Sequence, residues 1–232
     1  MQRGNSWRQH CVKWATRVRS LADWGLDLLY PPRCITCSIS IECSTLLLCA
    51  TCWEVIEGDA LDRDEKDLGN AVVWGELAGP LREAIHALKF RGKCRLGRAL
   101  GRRMGQMQLR RLSAVDGLIA LPLHPARARE RGYNQSLEIA LGLAEVLDKP
   151  IVRGWVVRRK NTRQQARLSA EQRRENMRAA FVWRGIPPGR TWGLVDDVIT
   201  TGATLEACIA AFPGAEADIV PIALARATGD IS

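Results

Sequence analysis

The sequence predicts an α/β fold: a mainly parallel sheet flanked by helices, with a small four-cysteine module near the start. Three observations carry that expectation. Strand-like and helix-like segments alternate along most of the chain. The strand-like segments are continuous apolar runs, such as "GLIALPL" at 117–123, as expected of strands covered on both faces. Ahead of them, "CITC" and "CATC" form two C-x2-C pairs separated by eleven residues.

The length of 232 residues suits one medium domain plus an accessory module. Apolar residues make up 47% and charged residues 25%, ordinary proportions for a globular protein. The formal net charge of +9 points to an anionic partner, whether nucleic acid, phosphorylated metabolite or acidic membrane surface. A solvated basic face accounts for the charge equally well. No stretch approaches the ~20 apolar residues of a membrane span, and the first residues lack the apolar core of a signal peptide. The expected location is the cytosol, where eight cysteines are thiols or metal ligands.

In chain order, residues 1–30 contain an amphipathic helix. Cys11, Trp14, Val18, Leu21, Gly25 and Leu28 recur at helical spacing, and "YPPRC" ends the pattern. Packing on the body of the protein and lying on a membrane surface are both open to it. Residues 31–57 form the cysteine module. Cys34, Cys37, Cys49 and Cys52 can offer four thiolates tetrahedrally to one Zn²⁺. An iron–sulfur cluster or a redox pair is the alternative, and Cys43 has no assigned partner. Residues 58–70, acidic and poor in large apolar side chains, read as a linker.

The main domain, 71–232, opens with a strand at about 71–77. Leu81, Ala84, Ile85 and Leu88 mark one helix. Leu96, Leu100, Met104 and Met107 mark a second, and Leu137, Ala140, Leu141, Ala144 and Leu147 a third. Strands are expected at 117–123, "GWVVRR", "AAFVW", "TWGLVDD" and "ADIVPIALA". "SAEQ" has capping-box spacing for a short helix, and 203–212 reads as the last helix.

The stretch "LVDDVITTGATL" carries the chemistry. A buried strand is expected to end at Val195, which sets Asp196 and Asp197 at the sheet edge where α/β proteins bind ligands. Carboxylates there need hydroxyls, a metal or cations. Thr200, Thr201, Gly202, Ala203 and Thr204 follow at a helix start, where free N–H groups and the helix dipole attract a phosphate. Together they suit a phosphorylated sugar. The plainer reading is a helix cap.

This stretch resembles the phosphoribosyl pyrophosphate (PRPP) signature of type I phosphoribosyltransferases. The resemblance implies ribose contacts from Asp196 and Asp197, the catalytic candidates. It implies PRPP contacts from Val198, Thr200, Thr201, Gly202, Ala203 and Thr204, with Mg²⁺ accompanying PRPP. The cysteine module, "LREAIHALKFRGK", "LPLHPARARERGYNQS", "RKNTRQQARLSAEQRRENMRAAF" and the PRPP loop occur in the order found in the ComF family. That resemblance covers roughly residue 25 to the end. It implies an N-terminal zinc finger, a phosphoribosyltransferase-like domain and a role in DNA uptake.

By the same resemblance, Leu123, His124, Arg127, Arg129 and Arg131 are pyrophosphate candidates. Lys160, Arg163 and Gln165 stand in a polar segment that is either a lid or a plain surface loop. Ten Lys or Arg residues and one Glu fall between Leu81 and Arg111. Of these, Arg95, Arg98, Arg102 and Arg103 are candidates for single-stranded DNA, with a solvated helix face as the alternative. Three functions stay open: a transferase of unknown acceptor, a PRPP-binding regulator, and a DNA-handling factor working with other uptake proteins.

Overall fold

The computed structural model describes residues 31–42, 47–60, 70–159, 180–186, 188–214 and 217–227. The expected N-terminal helix, the "SAEQ" helix, Cys43 and the segment holding Lys160, Arg163 and Gln165 lie outside them. The chain divides into two compact units, residues 1–49 and 50–232.

In the larger unit, five strands form one sheet in the order β1 (Val72–Glu76), β7 (Asp218–Arg226), β6 (Thr191–Ile199), β2 (Gly117–Ala120), β3 (Ile151–Val152). Every neighbouring pair is parallel. The helices are α1 (Ala50–Gly58), α2 (Gly79–Phe90), α3 (Cys94–Met107), α4 (Leu109–Leu112), α5 (Pro125–Arg131), α6 (Gln135–Leu147) and α7 (Ala203–Ala210). The apolar spacings of α2 and α3 predict the faces they bury: Leu81, Ala84, Ile85 and Leu88 on one, Leu96, Leu100 and Met104 on the other. Parallel strands require such crossover helices.

Three expectations change. The run at 117–123 is a strand only to Ala120. Leu121 still donates its N–H to the carbonyl of Val195 at 2.9 Å, but Pro122 has no N–H to give, and α5 begins at Pro125. "GWVVRR" and "AAFVW" are strands outside the main sheet. They supply β4 (Val156–Arg158) and β5 (Phe181–Trp183), an antiparallel pair with Val157 opposite Val182. The last sheet position belongs instead to the two-residue β3. Finally, "TWGLVDD" continues to Ile199, because β7 stays in register with it as far as Ile199 opposite Arg226.

Val156, Phe181, Leu194, Trp192, Leu205 and Cys208 share one buried cluster with β1 and β7 residues, so the β4–β5 pair and α7 close over one sheet face. Trp183 donates its indole N–H to the carbonyl of Cys208 at 2.9 Å, which fastens the two together. Elsewhere α3 and α6 meet backbone to backbone. Gly97, Gly101 and Gly105 are buried at four-residue spacing on α3. A Cβ on Gly101 would fall on the carbonyl of Ile139, and one on Gly142 would stand 2.6 Å from the backbone nitrogen of Arg102.

Candidate functional site

Sheet topology locates a crevice. From β2 the chain passes through α6 to β3 on one side, then returns to β6 on the other side of β2. This reversal of strand order is the switch point at which open α/β sheets bind ligands, outside the carboxyl ends of the strands. The sheet is stepped there. Pairing of β2 with β6 ends at Ala120 opposite Val195, whereas β6 runs four residues further against β7. Asp196 and Asp197 therefore project past β2 while β7 still holds their backbone.

Successive strand residues face opposite sides, and the two acids have different surroundings. Partly buried Asp196 accepts from the hydroxyl of Ser136 at 3.0 Å and from the N–H of Asp197 at 2.8 Å, both on Oδ1. Burial, then the charge of Asp197, pushes Asp196 up to about 7; the two hydrogen bonds and Lys89 oppose the rise. Arg158 at the end of β4 and Cys208 in α7 also feel its charge. Burial pulls Arg158 below its usual value while Asp196 supports it. Burial and Asp196 together push the Cys208 thiol up to about 12.

Asp197 is only 4% exposed. Its Oδ1 meets the ammonium of Lys89, from the last turn of α2, at 2.8 Å. Its Oδ2 is buried and has no hydrogen-bond partner among the described residues. The side-chain oxygen of Gln135, beside Ser136, is in the same condition. Buried acceptors without donors are uncommon in folded proteins, so this corner can take hydroxyl or other donor groups.

The loop after β6 has the expected form. Gly202 adopts φ 74° and precedes α7, with no side-chain cap on that helix. The N–H of Ala203 is directed to the Thr201 hydroxyl at 3.4 Å. Thr200 and Thr201 are exposed, while Val198 still lies in the strand, opposite Ala225. The negative carboxylate of Glu206 in the first turn of α7 opposes an anion there.

The loop after β2 sits at the same edge. Leu123 and His124 are partly buried, and His124 caps α5: its Nδ1 accepts from the N–H of Ala126 at 3.2 Å. Arg127, Arg129 and Arg131 all belong to α5, and the guanidinium of Arg131 lies 5.3 Å above the ring of Phe90. Gly132, at φ 76°, ends that helix in the left-handed region that suits glycine. Tyr133 donates its hydroxyl to the carbonyl of Leu88, and Asn134 caps α6 while its amide holds the carbonyl of Leu121.

Asn134, Gln135, Ser136, Lys89 and Arg158 were not singled out from the sequence for these positions. The first three close the stretch "LPLHPARARERGYNQS", where Asn before a helical pattern is a capping signal. Nothing local marks Lys89 or Arg158, whose partners are distant in the chain.

The basic face of α3 is largely engaged. Arg102 pairs with Glu145 of α6, Arg98 reaches the same carboxylate at 3.5 Å, and Arg103 pairs with Glu57 of α1. Arg95 is exposed.

The four cysteines converge. The sulfurs of Cys34, Cys37, Cys49 and Cys52 all lie within 4.8 Å of one another, with Cys37 and Cys49 at 3.6 Å. Thiolates ~2.3 Å from a tetrahedral zinc stand about 3.8 Å apart, so the set fits that ion. A tight turn makes the first knuckle: the N–H of Cys34 donates to Ile39 and that of Ser38 to Cys34. Burial favours the Cys34 thiol, but hydrogen bonds from the Cys37, Cys49 and Thr36 backbone and the Thr36 hydroxyl outweigh it and bring Cys34 down to about 6. A sulfur so supplied with donors is prepared to act as a thiolate ligand. Cys52 is carried by α1, a helix the motif spacing does not reveal. The cluster can hold zinc. Among the described residues no helix is long and apolar enough to cross a membrane.

No family model matches the chain. Competence protein F of Haemophilus influenzae is 32% identical over 199 residues, covering 75% of this chain and 87% of that protein. DNA utilization protein YhgH is 34% identical in Shigella flexneri and 33% in Escherichia coli K12, each over 139 residues, 58% of this chain and 61% of theirs. On the identity and coverage with competence protein F, the chain belongs to the ComF family.

Proposed function

We propose that the crevice between β2 and β6 binds PRPP, and that the chain transfers the phosphoribosyl group to an acceptor during the handling of incoming DNA. One observation carries the reading: buried Asp197 beside partly buried Asp196 at the step of the sheet, followed by left-handed Gly202 opening a helix. Polyol and phosphate then have adjacent seats. Asp196 and Asp197 accept the ribose hydroxyls, and the N–H groups of 200–204 take the 5′-phosphate. Mg²⁺ enters with the substrate as the counter-ion of its pyrophosphate.

The transfer breaks the C1–oxygen bond, whose electron pair leaves with pyrophosphate. It forms a bond from C1 to the acceptor, which gives up a proton to solvent. Positive charge grows on the ribose ring and negative charge on the leaving group. The carboxylates steady the first, and Arg127 and Arg129 are the candidates to steady the second. Lys89 and Ser136 hold the acids in position. The four thiolates, loaded with zinc, supply folding energy to a module too small for a core of its own.

The names of the relatives support a place in competence and DNA utilization. They equally favour a second reading, in which the crevice senses PRPP and the protein handles DNA without transfer. Calorimetry of PRPP with Mg²⁺ tests the shared claim. Native, zinc-loaded protein binds, and Asp196→Asn/Asp197→Asn weakens binding at least about 100-fold, the loss of two charge-assisted contacts. Equal binding by the folded double variant would sink the reading. Pyrophosphate release with candidate acceptors then separates transferase from sensor.

A further inference from the structure

Phe90, the last residue of α2, lies off the helix's buried face and is 63% exposed. A single exposed phenylalanine is ordinary, but this one is framed. The guanidinium of Arg131 lies 5.3 Å from its ring centroid, and the ring of His86, one turn earlier, stands 4.9 Å away at 46°. The frame is also anchored. The preceding Lys89 is paired with Asp197, and Tyr133 bonds the carbonyl of Leu88, which ties the end of α2 to the α5–α6 turn.

Charge favours an anion beside the ring. Arg91 and Lys93 are exposed, and Arg131 is partly so. Against them stand Glu130 and Glu83, the latter only 3.9 Å from Arg91, a loose and exposed pair. An exposed aromatic ring bordered by cations is the kind of platform on which single-stranded nucleic acids stack. Among the described residues, the engaged arginines of α3 have no such aromatic partner.

We propose that Phe90, framed by Arg131 and His86, stacks a base of single-stranded DNA at the rim of the candidate PRPP site, with Arg91 and Lys93 on the adjoining phosphates. The proposal names the surface behind the DNA-handling reading and rests on that reading. Fluorescence anisotropy of labelled oligothymidylate with the full-length, zinc-loaded protein tests it. Phe90→Ala weakens binding about 5- to 100-fold, as loss of one stacked base does, and Phe90→Trp retains it. PRPP calorimetry on Phe90→Ala stays as for the native protein. Equal oligonucleotide affinity of the native protein and Phe90→Ala would overturn the proposal. So would duplex binding as tight as single-strand binding, or thymidine monophosphate competing as well as the oligomer. Native protein that binds PRPP but no oligonucleotide overturns the DNA reading and leaves the PRPP reading standing.

Discussion

Asp196 and Asp197 are neighbours in one strand, yet the fold treats them differently. Asp197 is given an ammonium, and Asp196 a hydroxyl, an amide and a set of more distant charges. That difference has a pH signature. The folded value of Asp196, about 7, lies above its ordinary 3.8. The native state therefore holds this proton more tightly than the unfolded chain. The stability it brings is complete below about pH 4 and is lost as pH rises through about 7. Relative to Asp196→Asn, the native protein should lose thermal stability between about pH 4 and pH 7, by on the order of a few kcal/mol. Melting temperatures of both proteins across that range check it; parallel curves would show that Asp196 ionises freely. The acid pair itself was readable from the sequence, since two carboxylates after an apolar run need a purpose. Their partners were not, because Lys89, Ser136 and Arg158 approach through tertiary structure alone.

Among the elements, the tightest fit is α3 against α6. Leu96, Leu100 and Met104 announced a helix, but the glycines at 97, 101 and 105 decide how closely it packs. A methyl on Gly101 or Gly142 meets backbone, which cannot swing aside, whereas one on Gly105 meets the Val146 side chain at 3.2 Å. Gly101→Ala and Gly142→Ala should each destabilise by about 3 kcal/mol, overriding the ~1 kcal/mol helix-propensity gain. Gly105→Ala should lie near neutral. Urea midpoints rank the three, and equal values would contradict the close approach. Other elements were less legible. Short apolar runs such as "WVV" and "FVW" signal a strand without saying which sheet it joins, and β4 and β5 form a pair of their own. The arginines of "PARARER" hid α5, which buries none of its residues.

At the scale of the molecule, the α/β alternation followed from periodicity. The step between β2 and β6 did not, because strand length depends on the neighbour that supports it. That step makes the crevice. It brings the loop after β2, the start of α6 and the end of β6 to one edge, although they lie far apart in the chain. The cysteine module was legible for the opposite reason: its ligands repeat locally, and the sulfurs converge as the spacing implies. The central claim is that this edge is the ligand site. It is tested most directly by amide chemical shifts of the 25.8 kDa protein during titration with PRPP and Mg²⁺. The account predicts saturable shifts concentrated at residues 121–124, 132–136 and 196–204. Shifts confined to the exposed face of α3, or none in folded protein, would contradict it.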